Sequence, residues 1–291
     1  MSYFEILSSW HPAVLGAAVF VFGLLVGSFL NVVILRYPQR LMHDWRCQCR
    51  ELLEVGGDDP DSSNAPPSLV VDRSHCPKCE ARIAWYDNIP LISWLILRAR
   101  CRACGEKISL RYPLVELITA VLSVLVILEF GPSAQGLAAL ALTWALIALT
   151  GIDFDHQLLP DQITLPLLWL GLILNLWLGL FVTLEEAVIG AVAGYGILWS
   201  VFQLFKLLTG KEGMGYGDFK LLGALGAWLG WAALPAIILI ASLVGAIVGV
   251  LLIILARHGR EVPIAFGPYL AAAGFVVLLY GDRITEYWMV F

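Results

Sequence analysis

Charge is what this chain of 291 residues has least of. Only 14% of its residues are Asp, Glu, Lys or Arg, against ~25% in an ordinary soluble domain. Apolar residues make up 59% of the chain and the mean hydropathy is +0.82. That leaves too little polar surface to cover a soluble domain of this size and points to a membrane body with several spans. No Lys or Arg precedes Arg36. The apolar run 13–35 is too long for a signal core and is followed by Arg36 and Arg40, so a retained first span is expected rather than a cleaved secretory signal. The Gly-x-Gly-x-x-Gly fingerprint of a Rossmann-type nucleotide site is absent, and no internal repeat is apparent.

What charge there is lies in one place. Twelve of the 18 Lys and Arg, and all six cysteines, fall between Arg36 and Arg111. The chain therefore reads as an all-α polytopic membrane protein with one polar insertion after its first span. A span needs roughly 20 mainly apolar residues, and eight candidates emerge: 12–35, 113–130, 135–152, 163–182, 187–208, 219–231, 232–256 and 265–281. The sixth is short, and with the seventh it could form a re-entrant pair, leaving six or seven spans. Basic residues mark the cytoplasmic loops. With 36–111 inside, Lys206, Lys211, Lys220, Arg257 and Arg260 fall on the same side and only Arg283 falls outside, while the loops around Gly131–Gln135 and Thr183–Glu186 contain neither Lys nor Arg. Asp153, Asp155, Asp161 and Asp218 then all lie at cytoplasmic ends of spans.

The insertion has two parts. Residues 36–72, with the Gly-, Asp-, Ser- and Pro-rich stretch Gly56–Pro67, have the composition of a flexible loop. Residues 73–112 read as a small folded module. Cys76-Pro77-Lys78-Cys79 is followed, after 21 residues, by Cys101-Arg102-Ala103-Cys104. Two Cys-x-x-Cys pairs at such a separation are a strong signature of a structural zinc site with four thiolate ligands. A module this small has little hydrophobic core, which gives a metal staple a physical motive; two disulfides are the alternative. Cys47 and Cys49 have no matching pair and read as free thiols in a loop, with a contribution to metal binding the other possibility. His43 and His75 can ligate metals but find no open position beside four cysteines.

Two polar stretches interrupt the apolar body: Ile152-Asp153-Phe154-Asp155-His156-Gln157-Leu158-Leu159-Pro160-Asp161 and Gly213-Met214-Gly215-Tyr216-Gly217-Asp218-Phe219-Lys220. An ionisable residue at the edge of a span marks a functional site by default. Two carboxyls held close share a proton; the ionised one can take a proton from water while the other donates to a carbonyl, which is aspartic protease chemistry. Asp153 directly follows the apolar run Leu142–Ile152, whereas Asp155, two residues on, points about 160° away on a helix. Gly213, Gly215 and Gly217 admit positive φ angles and close approach of an extended peptide, so they are candidates for a substrate-binding loop. The plainer reading makes Asp218 and Asp161 helix N-caps.

These motifs in order resemble the bacterial type IV prepilin peptidases, including the leader peptidases of type II secretion. The resemblance is carried by Gly27-Ser28-Phe29-Leu30-Asn31-Val32-Val33-Ile34-x-Arg36-x-Pro38, the two Cys-x-x-Cys pairs, Arg111-Tyr112-Pro113-Leu114-Val115-Glu116, the two aspartate stretches, and Pro263-x-x-Phe266-Gly267-Pro268. Gly215-x-Gly217-Asp218 alone is shared with presenilin-like proteases.

The resemblance implies an inner-membrane enzyme with two activities, its active site facing the cytoplasm. One activity removes the leader of prepilins and pseudopilins after a glycine, with Asp153 and Asp218 as catalytic carboxylates. The other methylates the new N-terminal amine with S-adenosylmethionine. It implies a first transmembrane helix at 1–35, a cytoplasmic zinc module associated with methylation at 36–112, and a transmembrane peptidase domain at 113–291. Zinc would be held by Cys76, Cys79, Cys101 and Cys104. Asn31, Arg36 and Glu116 are candidates for the methyl-donor site; their plainer roles are helix packing, a positive-inside anchor and a partner for Arg111. Expected partners are prepilins, pseudopilins and membrane lipid, with no nucleic acid. The rival readings are a transporter using paired acids, a protease of the same motif without methyltransferase activity, and a membrane scaffold whose zinc module docks a cytoplasmic partner.

Overall fold

The computed structural model describes residues 11–53, 66–69, 72–256 and 265–289. These fold into helices, with two isolated single-pair β-bridges and no β-sheet among the described residues. The helices are α1 (Pro12–Leu52), α2 (Ile92–Ile96), α3 (Arg111–Phe130), α4 (Ala134–His156), α5 (Asp161–Leu178), α6 (Leu184–Thr209), α7 (Tyr216–Leu229), α8 (Leu234–Ala256) and α9 (Gly267–Met289). All eight span candidates are therefore helical. Among the described residues, six stretches are long and apolar enough to cross a membrane: Pro12–Leu52, Arg111–Phe130, Ala134–His156, Asp161–Leu178, Leu184–Thr209 and Trp231–Leu252. The apolar part of α9, Gly267–Gly281, is shorter. Helix α7 has 14 residues, about 21 Å of rise, less than the ~30 Å hydrocarbon core.

The chain divides into two compact units, Met1–Leu128 and Glu129–Phe291. In the first, α1 runs on well past the expected end of its span. It has 41 residues, about 60 Å, where a loop was expected from residue 36. Pro38 lies inside it without ending it, although an interior proline loses a main-chain bond and crowds the carbonyl one turn back. Good helix formers follow at Arg40, Leu41, Met42, Arg46, Arg50 and Glu51. The returning chain is tied to this helix: Arg36 Nη1 donates to the carbonyls of Ser68 (2.6 Å) and Asp72 (2.9 Å), and Arg40 Nη1 to that of Pro66 (3.2 Å). Of the Gly56–Pro67 stretch, residues 56–65 lie outside the described residues.

Glycines bring α1 onto α3. A Cβ at Gly23 would stand 2.7 Å from Ala120 Cα, and one at Gly27 2.7 Å from Glu116 Cα. Close approach through small residues is how helices associate where lipid offers no hydrophobic gain. Asn31, buried one turn further on, donates to the Tyr112 carbonyl (3.0 Å). Val21, Phe22, Leu25 and Phe29 stay exposed, as lipid-facing positions should.

The second unit is built around α7. Leu221, Leu222, Ala224, Leu225, Ala227 and Trp228 are all 0% exposed, so α7 is buried on every side. A helix apolar all round belongs at such a centre. Helix α6 reaches it through Gly190 and Gly194; a Cβ on Gly190 would collide with the Gly226 carbonyl, and one on Gly194 would come within 2.6 Å of that of Leu222. Helix α5 reaches it through Gly171, against the Trp228 indole, whose Nε1 donates to the Leu167 carbonyl (2.8 Å). Asn175, also buried, donates to the Ala227 carbonyl (3.0 Å) and accepts from the Phe181 amide (3.1 Å), holding the α7 C-terminus and the next turn. Helix α4 packs chiefly on α9.

Candidate active site

Asp153 lies in the last turn of α4 and Asp218 at the third position of α7. Both side chains are buried, at 5% and 7% exposure, and Asp153 lies near enough to Asp218 for the two carboxyls to interact electrostatically. Asp155 and Asp161 are exposed. Asp218 is not an N-cap. That position is Gly215, and the Asp218 carboxyl turns back to accept from the Gly215 backbone amide. Asp153 faces the backbone of Gly267, the first residue of α9. A Cβ on Gly267 would sit 2.5 Å from Asp153 Oδ2. That oxygen is buried without a hydrogen-bond partner among the described residues. Each carboxyl thus stands at the N-terminus of a helix, where free amides and the helix dipole favour negative charge.

Leu159 joins the two halves. A Cβ on Gly217 would meet Leu159 Cβ at 2.7 Å, and one on Gly267 would meet Leu159 Cδ1 at 3.0 Å. Leu159 belongs to the short connection from α4 to α5, which opens with Gln157 in a left-handed conformation (φ 51°), its amide on the Asp153 carbonyl (2.9 Å).

The three loop glycines do not work as expected. None of Gly213, Gly215 and Gly217 has a positive φ. What two of them supply is close approach: Gly217 to Leu159, and Gly213 to the Phe205 ring, 2.7 Å from an added Cβ. Gly217 lies inside α7 rather than in a loop. Lys220 pairs with Asp161 through both carboxylate oxygens (2.6 and 2.8 Å).

The four cysteines of the polar module come together, their sulfurs all within 4.8 Å of one another. Cys76 Sγ and Cys104 Sγ are 3.8 Å apart. A disulfide needs about 2.05 Å, whereas sulfurs at about 2.3 Å from a tetrahedral ion stand about 3.8 Å apart. The set fits a metal ion. Amides of Cys79 and Lys78 directed at its sulfur bring the Cys76 thiol down to about 6. The Glu106 amide works in the same direction on Cys104, but burial and the neighbouring thiols outweigh it and push Cys104 up to about 11. Four crowded sulfurs cannot all shed protons without a cation among them.

The module contains a repeat that sequence reading did not show. Residues 74–83 and 99–108 share one hydrogen-bond pattern: Cys76 N to Ala81 O beside Cys101 N to Glu106 O, Glu80 N to Cys76 O beside Gly105 N to Cys101 O, and Ile83 N to Ser74 O beside Ile108 N to Ala99 O. Glu80 and Gly105 occupy the same left-handed position (φ 56° and 73°). The pattern Cys-x-x-Cys-x-x-[Arg/Lys]-Ile at a shift of 25 was the available signal. Lys78 pairs with Glu106 across the two halves, and Arg102 of the second half pairs with Asp87 in the segment between them. The Arg102 guanidinium grips both Asp87 oxygens (2.8 and 2.6 Å) and holds that carboxyl below its usual range.

Cys47 and Cys49 stay free, exposed on the far end of α1 rather than in a loop, with Cys47 Sγ 3.9 Å from His43 Nδ1. The methyl-donor candidates are engaged inside the first unit. Asn31 and Arg36 make the bonds given above, and Glu116 accepts from the Leu91 amide (2.9 Å) and interacts with Ser28. Gly267 and Leu159 carried no role in the sequence reading, although both lie in quoted motifs. Pro263, Arg257 and Arg260 lie outside the described residues.

Comparison with known proteins follows this division closely. Residues 21–130 match the model of the bacterial peptidase A24 N-terminal domain, and residues 140–250 that of the type IV leader peptidase family. A protein of Aeromonas hydrophila named prepilin leader peptidase/N-methyltransferase is 58% identical over 271 residues, covering 93% of this chain and 92% of its own. Proteins of the same name from Stutzerimonas stutzeri (53% over 291 residues, 100% and 99% covered) and Pseudomonas aeruginosa (53% over 281 residues, 97% and 96% covered) are similar throughout. No solved structure matches. With identity above half over nearly the whole length, the chain belongs to the type IV leader peptidase family.

Proposed function

We propose that this chain is a multi-pass inner-membrane enzyme that removes the leader peptides of type IV prepilins and pseudopilins and then methylates the exposed N-terminal amine. The observation that carries the peptidase half is the pair of buried carboxyls, with Asp153 Oδ2 lacking a partner among the described residues. A buried oxygen in that condition calls for a water or a substrate group to satisfy it. The ionised member of the pair takes a proton from water, whose oxygen attacks the scissile carbonyl carbon. The protonated member donates to the carbonyl oxygen, giving a gem-diol. Return of a proton and cleavage of the C–N bond release the leader and the new amine. Phe205 and Leu159 occupy the space beside Gly213 and Gly217, while Gly215, with only Asp218 Oδ2 at 3.8 Å from an added Cβ, leaves room for an extended peptide at the start of α7.

Zinc suits the four-cysteine set, with Cys76, Cys79, Cys101 and Cys104 as ligands and a structural role. The methyl donor for the second activity is S-adenosylmethionine. Methylation belongs with residues 36–112 and peptide cleavage with 113–291. Lys206, Lys211 and Lys220 flank the α6–α7 turn that carries the glycines, while Gly131–Gln135 and Thr183–Glu186 lack basic residues; by the positive-inside rule the acids face the cytoplasm. A transporter would place its acids near mid-span, and these stand at helix ends. Purified protein should shorten a prepilin and label it from tritiated S-adenosylmethionine. Asp153→Asn and Asp218→Asn should each stop the shortening. Normal cleavage by either variant sinks the assignment of the pair.

A further inference from the structure

We infer that Asp161 and Lys220 form a positioning clamp that sets the spacing of the two catalytic carboxyls. The inference rests on Asp153 and Asp218 being that pair. The acids sit on helices that do not pack chiefly on one another: α4 lies chiefly on α9, α7 lies chiefly on α6 and α5, and α5 and α9 each touch both. Their separation is therefore set through intermediaries. It depends on the connection Gln157–Pro160, which starts one turn after Asp153 and ends at Asp161, the first residue of α5.

That connection holds the first turn of α7 at two points. Leu159 fills the space over Gly217, the residue before Asp218. Asp161 takes the Lys220 ammonium on both oxygens, at 2.6 and 2.8 Å. Lys220 is two residues beyond Asp218, about 200° around the helix, so the ion pair pulls on the side of the turn away from the carboxyl. Leu159 prevents approach closer than contact, and the ion pair prevents the turn from moving off. Lys220 is only 26% exposed and Asp161 49%. A pair this accessible adds little to global stability, so its removal should be felt in placement of Asp218 more than in folding. Neither residue touches the reacting atoms.

The test compares Lys220→Met, Asp161→Asn, Lys220→Arg and the exchanged pair Lys220→Asp with Asp161→Lys, in purified protein with a full-length prepilin. The clamp predicts that each neutralising variant loses kcat by about tenfold to a hundredfold, the scale of a small misplacement. KM should stay within about twofold, since leader contacts are untouched. The optimum of the pH–rate profile should move, because altered spacing changes how the carboxyls share a proton, and Tm should change by only a few degrees. Lys220→Arg, which keeps two-point pairing, should stay near the parent, and the exchanged pair should recover most of the lost kcat. Unchanged kcat in both neutralising variants overturns the clamp. So does a folded exchanged pair as inactive as the single variants, since each residue would then be acting alone. If the exchanged pair does not fold, Lys220→Arg decides: parental kcat upholds the clamp and a large loss overturns it. Asp153→Asn and Asp218→Asn in the same assay test the pair itself, so failure there is told apart from failure of the clamp.

Discussion

The backbone of Gly267 lies directly against the carboxyl of Asp153, so that a single methyl group on Gly267 would stand 2.5 Å from Asp153 Oδ2. Such a distance is well inside contact, and the carboxyl would have to turn away. Gly267→Ala should therefore lower the rate of leader cleavage by about a hundredfold, the cost of a displaced catalytic group. Gly215→Ala should cost only a few-fold, because its nearest neighbour is Asp218 Oδ2 at 3.8 Å, ordinary contact. Single-turnover cleavage rates of the two variants make the comparison. A reversed order would mean that the site is built differently.

Metal analysis should find one zinc per chain, and serine at Cys76, Cys79, Cys101 or Cys104 should remove it. Cys47→Ser and Cys49→Ser should leave the stoichiometry unchanged, since both thiols lie free on α1. Acid should release the ion as protons compete for the sulfurs, and raising the pH should restore binding. Retention of a full complement of zinc by a Cys101→Ser variant would argue against a four-cysteine site.

Glu80→Gly should tighten the module. Glu80 is exposed and holds φ 56° with a side chain, where its counterpart in the second half is Gly105. Left-handed backbone costs a non-glycine residue on the order of 1 kcal/mol, which corresponds to about fivefold in zinc affinity. Competition with a chromogenic chelator measures it. Weaker binding would show that the Glu80 side chain contributes something the backbone account omits.

The centre of the second unit should tolerate no added volume where backbones touch. Gly190→Val would drive a side chain into the Gly226 carbonyl, which has no freedom to move aside, and should destabilise the protein by on the order of 3 kcal/mol. Gly196→Ala, on the same helix with nothing within 4 Å, should be neutral or gain up to about 1 kcal/mol from helix propensity. Thermal unfolding in detergent, followed by intrinsic fluorescence, separates the two.

Much of this architecture is legible from hydropathy, because a membrane span must be both long and apolar. All eight apolar runs became helices, and the place of Asp153 directly after an apolar run, with Asp155 about 160° away on a helix, favoured Asp153, a choice made firmer by the family resemblance. What the sequence conceals is tertiary. The close approaches of Gly217 and Gly267 to Leu159 involve residues far apart in the chain, and a glycine used for contact looks the same as one used for a turn. The extension of α1 was hidden for a different reason. Hydropathy reports where a helix leaves lipid and says nothing about whether it stops there. The carbonyls that Arg36 and Arg40 hold belong to a segment some thirty residues away.

That extension has a consequence for anything built at its end. Within one unbroken helix, height and bearing are locked together: each added residue lifts the remainder of the helix by about 1.5 Å and swings it by about 100°. Arg36 and Arg40 are one turn apart and grip the same returning strand of chain. A single residue inserted between them would point the second arginine a quarter-turn away, while an insertion of a whole turn further along would leave the grip intact and only raise Cys47 and Cys49. The first helix therefore sets a phase as well as a distance. Its polar third should accept changes in length only in steps that return to the same face.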